Sequence, residues 1–193
     1  MDKKNSGYYT KKELEALGLK SFGENVLLSK QARIIDPKKL VIGNNVRIDD
    51  FTILIGNIEI GNHVHVAPFS LLSGKNGIRM EDFSGLSIRG TILTSDDDYS
   101  EGSTLTGPTI PPKFRTYKKG KVIMGKHSVV GAHSVILPST LIGDGAMFGA
   151  LSLLKGTYKG WYLYAGIPAK PLRKRPMEKI LKFEKEVIKM DLL

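Results

Sequence analysis

With 193 residues, 41% of them apolar, the chain has the size and composition of one globular domain. The absence of cysteine excludes disulfides, thiolate metal ligands and a thiol nucleophile, and no apolar run is long enough to cross a bilayer as a helix. A formal net charge of +10 favours an acidic partner, which leaves nucleic acid, a membrane surface and a small phosphate-bearing ligand as candidates.

The N-terminal segment predicts a cytoplasmic location and a short capping helix. Residues 1–6 are polar and lack the apolar centre of a secretory signal. A helix is expected over residues 10–18, because Thr10 can cap its start, Glu13 can complete a capping box and Gly18 can end it. This helix would close the open end of the domain that follows.

A six-residue period dominates residues 26–90 and 122–155. Its apolar members are Ile42, Ile48, Leu54, Ile60, Val66, Leu72 and Ile78, and then Met124, Val130, Ile136, Ile142, Phe148 and Leu154. This period predicts an all-β fold, a parallel β-helix with three hexads in each triangular coil, whereas an antiparallel sandwich would need a period of two. We therefore expect Ile42, Ile60 and Ile78 to stack in one column. Glycines after apolar positions, such as Gly43 and Gly131, are expected to supply positive φ at the corners.

The six-residue phase is lost over residues 91–121, where we expect a loop to protrude. This loop combines the acidic run Asp96, Asp97 and Asp98 with a proline-rich arm, and long loops in compact folds usually carry function. After the second block, apolar residues at helical spacing predict an amphipathic helix over residues 176–190. Residues 1–193 thus form one predicted domain.

The coils, the Ser95-Asp96-Asp97-Asp98-Tyr99 loop and the ending Tyr164-Ala165-Gly166-Ile167-Pro168-Ala169-Lys170 carry a family resemblance. They resemble the hexapeptide-repeat acyltransferases of bacterial surface-polysaccharide synthesis, and are similar to galactoside O-acetyltransferases and viosamine-type nucleotide-sugar N-acetyltransferases. The resemblance implies the left-handed form of the β-helix, acetyl-CoA as acyl donor, and no metal. It also implies a homotrimer with active sites between subunits.

Acyl transfer needs a group that accepts a proton from the attacking acceptor. Better-known members of the family use a histidine at the start of the protruding loop, but an ungapped count places Asp97 there, and a slip of one residue would place Asp96 or Asp98. An ordinary aspartate has a pKa of about 3.9, which neighbouring carboxylates are expected to raise. An amine is the easier acceptor for such a base, so the sequence favours N-acylation of an amino sugar, which the resemblance makes nucleotide-linked.

The resemblance also implies positions for the two substrates. His65 lies on the outward face near the implied acceptor pocket and is a further catalytic candidate. The other candidates for acceptor binding are Tyr99 and Arg89. Coenzyme A would lie along the C-terminal coils, with its arm against Ala132 and Ala150 and its phosphates at Lys155, Lys170 and Arg173.

Two other functions remain open: O-acetylation of a sugar hydroxyl, and a non-catalytic sugar-binding scaffold that has lost its base. The aspartate run also fits a solvated turn, His65 an exposed surface residue, and the basic C-terminal segment a solvated linker or a membrane-surface patch. Nucleic-acid binding is disfavoured, because the aromatic residues are not interleaved with basic ones in a stacking pattern.

Overall fold

The computed structural model describes residues 7–100, 102 and 104–191, so the polar residues 1–6 lie outside the described part. Helix α1 (Lys11–Ala16) begins with the predicted capping box, in which Thr10 N donates to Glu13 Oε2 at 2.7 Å and Glu13 N donates to Thr10 Oγ1 at 3.3 Å. Helix α2 (Glu178–Asp191) begins two residues later than predicted.

Short parallel strands wind between the two helices into a β-solenoid of about seven turns, which confirms the predicted hexapeptide β-helix. The strands are β1 (Ser21–Phe22), β2 (Leu27–Leu28), β3 (Arg33–Ile35), β4 (Leu40–Ile42), β5 (Arg47–Ile48), β6 (Ile53–Ile60), β7 (His65–Val66), β8 (Leu71–Met80), β9 (Gly85–Leu86), β10 (Thr91–Leu93), β11 (Ser95–Asp97), β12 (Tyr117–Lys119), β13 (Val122–Met124), β14 (Val129–Val130), β15 (Val135–Ile136), β16 (Leu141–Ile142), β17 (Met147–Phe148), β18 (Leu153–Leu154), β19 (Thr157–Tyr158), β20 (Tyr162–Ala165) and β21 (Lys170–Lys174).

The strands form the three faces of a triangular prism. The first face contains β1, β4, the second halves of β6 and β8, β13, β16 and β19. The second face contains β2, β5, β7, β9, β14, β17 and β20, with β21 antiparallel at its edge. The third face contains β3, the first halves of β6 and β8, β10, β15 and β18. The coils thus continue to Ala165, beyond the predicted end at residue 155.

Inward-facing residues stack in columns, with one correction to the predicted register. Ile42 pairs with Ile60, as expected, but Ile60 then pairs with Met80, while Ile78 pairs with Ile58. The reason is that the chain takes eight residues rather than six from Leu72 to Met80.

The three corners of the prism differ in the number of residues that connect one face to the next. The first corner joins the first face to the second, the second corner joins the second face to the third, and the third corner returns to the first face. Six residues separate paired columns across the first two corners, as from Ile42 to Ile48 and on to Leu54. At the third corner the step varies from four residues, Leu154 to Tyr158, to thirty-two, Ile92 to Met124.

The glycines after the apolar positions allow close packing and do not supply positive φ, contrary to the prediction. A Cβ on Gly43 would lie 2.6 Å from the carbonyl oxygen of Gly61, and one on Gly131 would lie 2.5 Å from Ala150 N. The residues with positive φ come two positions later and are mostly not glycine; at the first corner they are Asn25, Asn45, His63, Phe83, His127, Gly145 and Trp161. Each left-handed residue costs about 1–2 kcal/mol, which stacking of one ring on the next helps to offset.

The predicted loop is an antiparallel hairpin, which we call the hairpin (residues 95–119), at the third corner. β11 and β12 pair from Ser95↔Lys119 to Asp97↔Tyr117. The hairpin starts at Ser95 rather than at residue 91, because β10 still pairs with β8 and β15 within the third face. Within the described residues, no helix combines the length and apolar character needed to span a membrane.

Candidate functional site

The Asp97 carboxylate lies at the base of the hairpin and is held on both oxygens. Oδ2 accepts a hydrogen bond from Gly107 N at 2.8 Å, and Oδ1 lies 2.8 Å from Arg115 Nη2. The hydrogen bond from Gly107 and the Arg115 guanidinium lower the pKa of Asp97. This corrects the expectation that neighbouring carboxylates raise it: the amide and cationic partners outweigh the opposing effect of burial, so Asp97 is an anion at neutral pH.

The other two aspartates of the run face different surroundings. Asp98 bonds to Ser100 and to Lys118 Nζ at 2.9 Å, and these contacts lower its pKa to about 2. Asp96 makes no side-chain hydrogen bond or ion pair within the described chain. Together with Asp97 it lines a cavity of about 330 Å³, which we call the hairpin cavity. The other residues that line it are Tyr99, Lys118, Lys119, Leu137, Pro138, Ser139 and Lys155.

A second polar cluster, around Asp49, lies on the second face. Asp49 Oδ2 is 2.7 Å from His65 Nε2, while Oδ1 accepts hydrogen bonds from Arg47 Nε at 2.7 Å and from Tyr8 Oη at 2.9 Å. The Asp49 side chain is only 7% exposed. Burial by itself would raise the pKa of Asp49, but the hydrogen bonds from His65, Arg47 and Tyr8 outweigh it, so that the pKa is lowered.

His65 is half exposed at the rim of an open cavity of about 370 Å³, which we call the second-face cavity. The other residues that line it are His63, Ala67, Phe83, Ser84, Gly85, Leu86, Ser87, Ile88 and Val129. The hairpin cavity and the second-face cavity share no residue, so a single chain does not bring Asp97 or Tyr99 together with His65. Arg89 lies apart from both cavities, on the second corner, with its guanidinium 5.6 Å from the ring centre of Phe69.

The residues predicted to hold coenzyme A lie towards the C-terminal end of the prism. Ala132 and Ala150 occupy successive coils at the second corner, where Leu151 N donates to Ala132 O at 2.8 Å. Residues 166–169 cross to the third face, where Ala169 N donates to Leu153 O at 2.8 Å, and β21 follows with Lys170 and Arg173 exposed. Lys155 instead lines the hairpin cavity. None of these three cations has an ion-pair partner in the described part of the chain.

Sequence reasoning missed four of these side chains: Tyr8, Arg47, Asp49 and Arg115. Arg47 and His65 are eighteen residues apart and therefore neighbours on the second face, so the repeat contained a signal for this cluster. Arg115 carried no comparable signal, because the hairpin does not follow the period. His127 and His133 lie on different corners of the prism, and no three metal-binding side chains converge anywhere in residues 7–100, 102 and 104–191.

Comparison with known proteins places these features in a family. Residues 39–74 match the family model described as bacterial transferase hexapeptide (six repeats). The chain is 36% identical over 180 residues to a dTDP-4-amino-4,6-dideoxy-D-glucose acyltransferase from Escherichia coli, which covers 92% of this chain and 93% of the relative.

Solved structures give the same relationship. AntD, an N-acyltransferase from Bacillus cereus, in complex with dTDP and 3-hydroxybutyryl-CoA, is 43% identical with a TM-score of 0.94, over 98% of this chain and 100% of AntD. A variant of AntD was also solved with dTDP-4-amino-4,6-dideoxyglucose and coenzyme A, with a TM-score of 0.93 over 96% of this chain and 98% of the variant. A maltose O-acetyltransferase from Clostridium difficile shares only the fold, at 17% identity and a TM-score of 0.54, over 84% of this chain and 73% of the relative.

Proposed function

This chain belongs to the hexapeptide-repeat acyltransferases, and we propose that it transfers an acyl group from a coenzyme A thioester to the amine of a dTDP-linked 4-amino-4,6-dideoxy sugar. The observation that carries the proposal is the similarity to AntD, which extends over nearly the whole chain. A place in surface-polysaccharide synthesis and a cytoplasmic location are parts of the same proposal.

The chemistry of Asp97 supports an amine acceptor. The amine nitrogen attacks the thioester carbonyl, a C–N bond forms, the C–S bond breaks, and the proton lost by nitrogen ends on the departing sulfur. An ionised Asp97 can bind the acceptor in its ammonium form, which loses one proton to the solvent before the neutral amine attacks. The nitrogen becomes strongly acidic on attack, so Asp97 can accept its second proton and pass it to the departing sulfur. A carboxylate with a lowered pKa is a poor base for a hydroxyl, so the same geometry argues against O-acylation. Asp98 is assigned to the hairpin itself, since its contacts are with Ser100 and Lys118.

We further propose a homotrimer, because the acceptor residues are divided between two cavities of one chain. The hairpin of one protomer would approach the second face of the next, and so bring Asp97 and Tyr99 to His65. Lys155, Lys170 and Arg173, which form no ion pair among the described residues, would meet the phosphates of coenzyme A, whose arm would pass Ala132 and Ala150. Arg89, on the corner beside the second face, stays a prediction for acceptor binding.

The direct test incubates the protein with acetyl-CoA or 3-hydroxybutyryl-CoA and dTDP-4-amino-4,6-dideoxyglucose, with release of free thiol and product mass as readouts. The matched acceptor is dTDP-6-deoxyglucose, which has a hydroxyl in place of the amine. We expect thiol release with the amine only. Release with the hydroxyl acceptor alone, or with neither, would contradict the proposal.

Replacing Asp97 with Asn tests the role of its carboxylate. The side chain keeps its shape but loses its charge, and we expect kcat/KM for the amine acceptor to fall about 100-fold or more. The control is Asp36→Asn, at an exposed residue paired with Lys39 on the third corner. Equal kcat/KM for Asp97→Asn and the wild type would remove Asp97 from the mechanism.

A further inference from the structure

We propose that Asp49 is a positioning residue that holds His65 in the tautomer whose Nδ1 accepts a hydrogen bond from the acceptor sugar. This inference rests on the proposed function, in which the second-face cavity receives the acceptor. It assigns a role to a buried carboxylate that the chemistry of acyl transfer does not itself require.

Asp49 is fixed from several sides before any substrate binds. Its Oδ1 accepts hydrogen bonds from Arg47, two residues earlier in the same coil, and from Tyr8 of the N-terminal segment. Tyr8 is itself anchored by an isolated antiparallel bridge to Ser29. The remaining oxygen, Oδ2, faces His65 Nε2 at 2.7 Å. Because Oδ1 is already occupied by Arg47 and Tyr8, Oδ2 is the oxygen that can interact with His65.

The charge of Asp49 decides which nitrogen of His65 carries the hydrogen. An ionised carboxylate can only accept, so the facing Nε2 must donate. In a neutral imidazole the other nitrogen, Nδ1, then bears the lone pair. Nδ1 of His65 has no hydrogen-bond partner within the described residues, and the ring is 53% exposed at the rim of the second-face cavity. The pair thus presents one oriented acceptor to whatever enters this cavity.

Space beside His65 supports the presence of a ligand there. Gly85 is the next residue along the second face, and a Cβ placed on it would find its nearest heavy atom at 3.8 Å, with no positive φ to require glycine. No contact among the described residues therefore explains the missing side chain at this position, whereas a sugar lying against His65 would need the room. His63 lines the same cavity but is engaged otherwise, since its Nε2 is 2.6 Å from Asp191 and its ring stacks on Phe83.

The test uses substitutions that change which of the two nitrogens of His65 carries the hydrogen. In Asp49→Asn the amide NH₂ can donate to Nε2, which moves the hydrogen to Nδ1 and abolishes the acceptor. We expect the acceptor KM to rise about tenfold, the effect of losing one hydrogen bond of ~1.4 kcal/mol, with the KM for acyl-CoA unchanged. Asp50→Asn is the matched control, because Asp50 is adjacent but bonds to Ser29 instead.

Two substitutions of His65 test the roles of Nδ1 and Nε2 separately. His65→Asn places an amide oxygen near the position of Nδ1, so it should keep an acceptor KM close to that of wild type and make Asp49→Asn silent in the double variant. His65→Gln places its amide near Nε2 and should be as impaired as Asp49→Asn. Circular dichroism and thermal unfolding of each variant verify that it is folded.

The outcomes distinguish this inference from the proposed function. An active wild type whose acceptor KM is unaffected by Asp49→Asn would overturn the role of Asp49 alone. Equal increases in the KM for acceptor and acyl-CoA, with a lowered unfolding midpoint, would also overturn it, since they indicate a purely structural carboxylate. A wild type that transfers to no amine would instead contradict the proposed function.

Discussion

Glycine has two distinct roles in this chain, and single substitutions separate them. At Gly43 a methyl group would meet the backbone of Gly61 in the next coil, whereas at Gly85 it would meet only ordinary contacts. We expect Gly43→Ala to lower the free energy of unfolding by about 1–3 kcal/mol, because neither backbone can move without disturbing the strand pairing. Gly85→Ala serves as the control and should change it by less than ~0.5 kcal/mol in urea unfolding. Equal free energies of unfolding for the two variants would show that neighbouring coils can move apart to accommodate a methyl group at Gly43.

For individual residues, the sequence predicted where a side chain lies along the fold better than it predicted which groups surround that side chain. The loss of the six-residue phase placed Asp97 in a loop, and Asp97 lies in the hairpin, where it lines a cavity. The sequence could not give its protonation, because Gly107 and Arg115 approach it only through the folding of the hairpin. The sequence did not single out Asp49, since two of its three hydrogen-bond partners, Tyr8 and His65, are distant along the chain.

Two carboxylates of helix α2 contact two histidines of the first corner, because the spacing of the carboxylates along the helix matches the spacing of the histidines along the prism. Glu184 and Asp191 are seven residues apart, roughly 10.5 Å along a helix. Their partners His127 and His63 lie two coils apart, roughly 9.6 Å at the usual strand spacing. The contacts measure 3.2 Å from Glu184 Oε2 to His127 Nε2 and 2.6 Å from Asp191 Oδ2 to His63 Nε2.

Removing both charges should therefore release the helix without unfolding the prism. No side chain of α2 is fully buried, and its apolar residues Ile180, Leu181 and Val187 are only partly buried, so we expect the two ion pairs to contribute much of its attachment. In a Glu184→Gln, Asp191→Asn double variant we expect amide hydrogen exchange in α2 to quicken by about tenfold or more, while the strands keep their protection. Glu186→Gln is the control, since the ion pair of Glu186 in the described part of the chain is with Lys182 of the same helix. Unchanged exchange in the double variant would show that apolar contacts suffice.

Helix α1 should respond to acid through its capping box. Hydrogen bonds from Lys30 and then from Thr10 lower the pKa of Glu13 from its ordinary 4.5 to about 2. Because the pKa is lower in the folded state, the stabilisation is complete above pH 4.5 and is lost as the pH falls towards 2. We expect amide exchange in residues 11–16 to quicken over this interval, and a Glu13→Gln variant to show less dependence on pH. Glu15→Gln should behave as wild type; a flat wild-type profile would contradict the assignment.

The prism as a whole should fold without the hairpin. The third-face strand before it, β10, pairs with β8 and β15, and the first-face strand after it, β13, pairs with β8 and β16. Asp96 and Lys118 face each other in the hairpin ladder, so a two-residue Asn-Gly turn can replace residues 97–117. We expect the unfolding midpoint to shift by a few degrees at most, about 1 kcal/mol, while transfer to the amino sugar is abolished. Loss of the folded state would show that the hairpin contributes to the prism.

The repeat predicted the fold because a six-residue period leaves few alternatives: each hexad needs an identical neighbour to cover its apolar residue. It failed at Ile78, where two additional residues shift the register, and at the hairpin boundary, where β10 keeps its pairing although the period is about to end. Both failures fall where chain length varies, and a periodic pattern contains no information about an interruption. The corner conformations were also missed, since histidine and phenylalanine rarely adopt positive φ outside such stacked columns.

The unequal corners have a consequence for protein engineering. Every departure from six residues in the described coils, including the hairpin itself, occurs at the third corner. That edge of the prism is therefore a natural site for insertions. A peptide tag, a recognition loop or a small reporter domain could be inserted between Gly56 and Asn57, because the six-residue spacing at the other two corners would stay unchanged.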